Sequence, residues 1–151
     1  EEQLGRDIAR TLQTRLPILG SELDIAGLAG LCTQMAAVVG IDSGPMHVAS
    51  MAGTGVIALF GPTDANRTAP TGSTDNILSL GLDGSPCALS KCPAGLRNCM
   101  RLQRVDTVVK TVAGMMNDEC GMMNGDCVVV RIFVVVPSQF DQESWILLRV
   151  G

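Results

Sequence analysis

Six consecutive residues, Asp42-Ser43-Gly44-Pro45-Met46-His47, hold the types best suited to chemistry. A carboxylate, a hydroxyl and an imidazole share this stretch with a glycine and a proline, and what they offer together is anion recognition. Pro45 suits the first position of a helix, where its missing N–H has no bond to lose. The remaining N–H groups of such a first turn lack carbonyl partners, and the helix dipole adds positive potential there. Gly44 lets a ligand come close to the backbone. Ser43 adds a hydroxyl donor, and His47 in the first turn points at the same anion. A phosphate or pyrophosphate is the natural guest, and Asp42 remains to accept bonds from sugar hydroxyls. On residue types alone a plainer reading stays open. Asp and Ser ahead of a helix are ordinary caps, and a lone His often has a structural role.

The elements that must position these residues can be read on either side. Residues 36–41 (AAVVGI) form a short unbroken apolar run with β-branched members, which predicts a strand covered on both faces. Met46, Val48, Ala49 and Ala52 predict a short helix, with Gly53 and Gly55 flanking its end. Residues 56–60 predict a second buried strand, stopped by Gly61-Pro62-Thr63-Asp64. Strand, turn, helix and strand make a βαβ unit, hence a parallel sheet. The 42–47 turn then falls at the carboxyl end of a strand, where open α/β sheets bind ligands.

Upstream, Leu4, Ile8, Leu12 and Leu16 recur every four residues and predict an amphipathic helix. Residues 16–19 are a short candidate strand. Asp24 can cap a helix whose buried face is Ile25, Leu28, Ala29, Leu31 and Cys32. Gly27 and Gly30 make that helix weak in isolation. Downstream, residues 77–80 are a candidate strand and residues 85–100 a loop rich in Cys, Pro and Gly. Val105, Val108, Val109, Val112, Met115 and Met116 show helical spacing. Residues 115–126 read as a linker, residues 127–136 as a strand, and residues 137–151 show no clear pattern.

Composition narrows the class. The 151 residues suit one domain of ordinary size, long enough to bury about two-thirds of its unfolded surface. Hydrophobic residues make up 46% and charged residues 17%, the balance of a globular chain. Aromatics are 3%, with no Tyr, so stacking platforms for single strands are scarce. The net charge of −4 argues against a phosphate-backbone footprint, and no nucleic-acid partner is expected. The most apolar run, residues 128–136, is interrupted by Arg131 and falls short of the roughly 20 residues of a membrane span. The start, Glu1-Glu2-Gln3, has neither the Met nor the basic character of a signal peptide. A chain entered partway along, in a reducing compartment, is the expectation.

A resemblance adds to this reading. IDSGPMHVASMAGTGVIALFGPTDANRTAP (residues 41–70) closely resembles the bacterial lipopolysaccharide heptosyltransferases, glycosyltransferase family 9. Members carry an Asp-Thr/Ser-Gly-x-x-His turn, followed by a small-residue helix, an apolar strand and Gly-Pro-Thr-Asp, all present here in order. The likeness extends upstream through residues 24–34. Downstream it reaches CPAGLRNCM (residues 92–100), similar to a Cys-Pro…Cys-Met element of many members. It covers residues 1–116, the C-terminal half of the family.

The resemblance implies an α/β fold, a Rossmann-like parallel sheet flanked by helices, as the C-terminal half of a two-domain GT-B glycosyltransferase. Residues 1–117 are then the nucleotide-sugar-binding domain, and residues 118–151 a linker, a strand and an irregular C-terminal tail. The implied function is donor binding, typically of ADP-heptose, for an inverting, metal-independent transferase of lipopolysaccharide core synthesis. By resemblance Asp42 contacts the sugar, Ser43 and Gly44 hold the pyrophosphate, and His47 lies in the same pocket. Glu1 matches the acidic residue that binds the ribose, and Leu23 falls where the backbone meets the adenine. No catalytic residue, metal ligand or cofactor is assigned to this chain. The general base, a carboxylate within hydrogen-bond reach of the acceptor hydroxyl, and the lipid A–core acceptor surface are expected on an N-terminal GT-B domain. Without that domain the chain is expected to bind donor but not to transfer. The implied location is cytoplasmic, either free or peripheral at the inner membrane.

Several features stand outside this reading. RIFVVVPSQFDQ (residues 131–142) is similar to the opening strand and loop of the family's N-terminal domain, where Gly-Asp carries the base. Asp141 and Gln142 occupy those positions here, so an amide stands where the carboxylate belongs. A final strand with an irregular end is the favoured reading; a junction with a second copy, or a disrupted gene end, is the alternative. Cys87, Cys92 and Cys99 are spaced x4 and x6, wider than the closest zinc pairs. A packed loop with free thiols is favoured over a metal site completed by Cys120 or Cys127. Arg97, Arg101 and Arg104 read as a solvated face in preference to a site for an anionic lipid or acceptor phosphate. Arg67, after Gly-Pro-Thr-Asp, is a candidate for the pocket that the sequence leaves undecided. Two other functions are kept open: a non-catalytic nucleotide-binding or interaction module, and a Cys-rich metal-binding domain.

Overall fold

A computed structural model describes Ile18–Leu19 and residues 23–72, 76–119, 130–136 and 144–150, with side chains described for residues 23–72 and 76–115. Its elements are β1 (Ile18–Leu19), α1 (Ile25–Cys32), β2 (Ala37–Ile41), α2 (Gly44–Met51), β3 (Val56–Phe60), α3 (Ala65–Thr68), β4 (Asn76–Ser79), α4 (Asn98–Arg101), α5 (Val105–Glu119), β5 (Val130–Val136) and β6 (Ser144–Val150). The helix expected over residues 3–16 lies outside the described residues.

The sheet order is β1-β6-β5-β2-β3-β4. β5, β2, β3 and β4 run parallel, with Val38 opposite Val56 and Ile41 opposite Leu59 in the central pair. β6 pairs antiparallel with β5, and β1 antiparallel with β6. The β2–α2–β3 unit is the one that the apolar runs predict. Both of its strands are buried because helices cover both faces, as parallel strands require. Val38, Val56, Ala58 and Phe60 pack on one face against Leu28 and Cys32 of α1 and Met46 and Ala49 of α2. Val39 and Ile57, pointing the other way, pack with Leu78, Val108, Val112 and Met115. Adjacent strand residues facing opposite helices are the direct consequence of a period of two. The result is an α/β, Rossmann-like fold.

Local chemistry sets the helix ends. Asp24 caps α1, its Oδ1 accepting the Gly27 N–H at 2.7 Å. Thr54, buried ahead of β3, donates to the Cys32 carbonyl at 2.7 Å and ties the end of α1 to the sheet. The buried stripe of α5 is narrower than its valines suggest. Val108, Val112 and Met115 face the sheet, whereas Val105 and Val109 are exposed. At about 100° per residue, Val109 lies a quarter-turn or more away from Val108. α5 also runs on to Glu119, through residues that read as linker. Met115 and Met116 are good helix formers, and neither Gly nor Pro interrupts before Gly121. The patternless end of the chain holds a strand, β6, paired along its length with β5. Among the described residues no helix is long and apolar enough to cross a membrane.

The strand order has a consequence for ligands. The chain steps outward from β2 to β3 to β4, then returns to add β5 on the opposite side of β2. The order therefore reverses at β2. In open α/β sheets the crevice at the carboxyl end of such a reversal is where ligands bind. The residue that follows β2 is Asp42.

Candidate functional site at the carboxyl end of β2

Asp42 and Ser43, between β2 and α2, come together with Gly44 and His47 of the start of α2. Ser43 is the N-cap residue, in extended conformation, but its side chain makes no cap hydrogen bond. Its Oγ is buried and has no hydrogen-bond partner among the described residues. A buried hydroxyl left unpaired costs about 1–3 kcal/mol. Pro45 is the second residue of α2, in the first turn but one place after the first position that the sequence predicts. The first N–H groups of α2 have no intrahelical carbonyl to bond.

Gly44 is exposed, and a Cβ built on it would meet nothing within 4 Å. Its backbone is not in the left-handed region that demands glycine. Neither conformation nor packing among the described residues calls for glycine here. Its effect is to keep open the space before the helix N-terminus.

Asp42 is held more firmly than its neighbours. Its side chain is 14% exposed, against 41% for His47. Thr68 Oγ, at the end of α3, donates to Asp42 Oδ2 at 2.8 Å. His47 Nε2 stands 3.7 Å from Asp42 Oδ1, an ion-pair distance if the imidazole is protonated. Thr68 is a residue that sequence reasoning missed. Adjacent parallel strands place their following loops side by side, so the loop after β3 was the place to look. Arg67, the neighbour singled out instead, is exposed.

The sequence predicts two other site residues, Glu1 and Leu23. Glu1 lies outside the described residues. Leu23 sits half-buried at the start of α1, its side chain over Gly27, with no hydrogen bond to the turn among the described residues.

The Cys-Pro loop closes on the next strand. Ser85 Oγ donates to the Gly61 carbonyl, Ala88 N–H to the Pro62 carbonyl at 2.7 Å, and Gln103 Nε2 to the Phe60 carbonyl at 3.2 Å. Gly61 is buried, and a Cβ there would stand 2.6 Å from Met100 Sδ and 3.1 Å from Cys99 Sγ. Gly61 thus admits the Cys99-Met100 pair against the end of β3. Cys92 Sγ accepts the Arg97 N–H at 3.4 Å. That bond, with others from Ala94, Leu96 and Gly95, holds the thiol below its ordinary pKa. Cys32, Cys87, Cys92 and Cys99 are all free thiols. Among the described residues no three His, Cys, Asp or Glu converge as a metal site would require. Cys120 and Cys127 lie outside the described residues.

Comparison with known proteins bears on this arrangement. The model of the family described as glycosyltransferase family 9 (heptosyltransferase) matches residues 1–97. A protein named lipooligosaccharide heptosyltransferase 2, from Campylobacter jejuni subsp. jejuni serotype O:6, is 31% identical over 72 residues, which is 47% of this chain and 23% of that protein. Its namesake from serotype O:2 is 28% identical over 78 residues, 51% of this chain and 24% of that protein. The chain thus matches about a quarter of the length of these curated relatives. No solved structure matches. The family match covers well over half of the chain and includes the whole 42–47 turn, Gly-Pro-Thr-Asp and Cys92, so the chain belongs to glycosyltransferase family 9, the heptosyltransferase family.

Proposed function

We propose that residues 1–117 form the donor-binding domain of an inverting, metal-independent GT-B glycosyltransferase of lipopolysaccharide core synthesis, and that the donor is ADP-heptose. The observation that carries this reading is the Ser43 Oγ at the N-terminus of α2, buried and without a hydrogen-bond partner among the described residues. A pyrophosphate oxygen supplies the missing partner, and the free N–H groups and dipole of the helix favour its charge. Gly44 leaves room for it. Asp42, the acceptor beside that anion, takes bonds from hydroxyls of the heptose. His47 adds a donor on the same side. In this reading Glu1 binds the ribose and Leu23 the adenine. The relatives' printed names supply the heptose and the lipooligosaccharide class of acceptor.

Transfer calls for a base on the acceptor hydroxyl. The proposal gives that base, and the lipid A–core surface, to an N-terminal partner domain at the cytoplasmic face of the inner membrane. Calorimetric titration with ADP and ADP-heptose tests the donor site. The wild-type chain should bind both, and Asp42→Ala should weaken ADP-heptose about tenfold or more, the scale of a hydrogen bond to a charged group, while sparing ADP. Equal loss for both ligands would remove Asp42 from the sugar. Binding of ADP alone would favour a plain nucleotide-binding module.

A further inference from the structure

We propose that Thr68 is a positioning residue that aims the Asp42 carboxylate at the sugar of the donor. The proposal rests on the donor-site reading above and adds to it a residue from the neighbouring loop. Thr68 Oγ lies 2.8 Å from Asp42 Oδ2 and 3.3 Å from the Asp64 carbonyl. A hydroxyl has one proton to give, and the shorter contact to the charged oxygen takes it. One carboxylate oxygen is thereby occupied and the plane of the group is set. Oδ1 keeps its lone pairs on the side of His47. A carboxylate free to rotate would lose orientation each time a sugar hydroxyl approached. One already held accepts the new bond without that cost.

The hold on Thr68 is itself built from the chain. Asp64 caps α3, accepting the Asn66 N–H at 3.0 Å and the Asn66 side-chain amide at 3.1 Å. The Thr68 N–H bonds back to the Asp64 carbonyl at 3.1 Å. A single turn of helix after β3 therefore carries the hydroxyl across to the loop after β2. The Asp of Gly-Pro-Thr-Asp shapes that turn, and Thr68 is the residue that acts on the site.

The test is calorimetric titration of the full chain with ADP-heptose and with ADP, in Thr68→Val, Thr68→Ser and an Asp42→Ala background. Thr68→Val keeps the shape and removes the hydroxyl. It should weaken ADP-heptose about tenfold and leave ADP unchanged, and Thr68→Ser should restore the affinity. In the Asp42→Ala background the Thr68→Val change should add no further loss. Wild-type affinity in Thr68→Val would overturn the role, as would equal loss for both ligands or additivity with Asp42→Ala. Absence of binding by the wild type to either ligand is a separate outcome. It overturns the donor site and Thr68's role with it.

Discussion

The turn after β2 and the loop after β4 both lie at the carboxyl edge of the parallel strands, yet their polar groups are treated differently. In the loop, Ser85, Ala88 and Gln103 donate to successive carbonyls at the end of β3, and the Cys92 sulfur accepts backbone N–H groups. Gly61 is filled over by Met100 and Cys99. In the turn, the Ser43 hydroxyl is buried with no partner among the described residues, the helix lacks a side-chain cap, and Gly44 faces open space. Chains satisfy their buried polar groups wherever shape is the purpose. A loop that does so is holding the edge of the sheet. A turn that does not leaves room for the partner atom that the proposed donor would bring.

The contrast is broken most sharply by exchanging the roles of the two glycines. Gly44→Val puts a side chain into the space before α2. It should abolish measurable ADP-heptose and ADP binding, a loss of about 3 kcal/mol or more if two charge-assisted bonds are forfeited. The fold should hardly notice, with stability within about 1 kcal/mol of wild type by urea denaturation. Gly61→Val should do the reverse. Its side chain meets Met100 and Cys99, and overpacking of this kind costs about 1–3 kcal/mol of stability. ADP binding by the folded variant should persist. If Gly44→Val unfolds the chain, or Gly61→Val folds as well as wild type and loses ligand, the assignment of the two loops is reversed.

How much of this was legible in the sequence depends on how local the physics is. Asp24 as a cap, Pro45 in a first turn and the apolar runs of β2 and β3 express preferences settled within a few residues. The structure places them where the sequence does. The 42–47 turn was legible for the same reason. The pairing of β5 beside β2 was not, because register between strands some ninety residues apart is written in no local pattern. Nor was the bond from Thr68 to Asp42, which crosses 26 positions. In a single turn of helix the neighbouring residue points about 100° away. Arg67 is thereby turned to solvent while Thr68 makes the contact. The exposure of Val105 and Val109 was hidden in a stripe that looked wider than the face it packs against.

A smaller effect probes how the satisfied loop is latched. Gln103 Nε2 reaches both the Phe60 carbonyl at 3.2 Å and the Cys99 carbonyl at 3.4 Å. Gln103→Ala removes the donor and leaves the Phe60 carbonyl short of a partner. A cost of about 1 kcal/mol is expected, read as a lowered urea midpoint with an unchanged slope. A changed slope would mean that the loop had come away from the end of β3 altogether.

The smallest effect concerns the two thiols that the fold treats oppositely. Arg97 N–H above all, with Ala94, Leu96 and Gly95, holds the Cys92 thiol below its ordinary pKa, and burial pushes the Cys32 thiol up. For Cys92 the folded value is the lower one. Its contribution to stability is therefore complete above the unfolded pKa and is lost as pH falls through the folded one. Cys92→Ser should flatten that alkaline rise and leave stability at neutral pH nearly unchanged. Alkylation gives a second measure, because the thiolate is the nucleophile. Mass mapping after brief iodoacetamide treatment at mildly alkaline pH should find Cys92 modified well before Cys32, which is fully buried. Equal labelling of the two would mean that the N–H groups of residues 94–97 do not gather around the sulfur, and that the Cys-Pro loop is less completely satisfied than its contrast with the 42–47 turn requires.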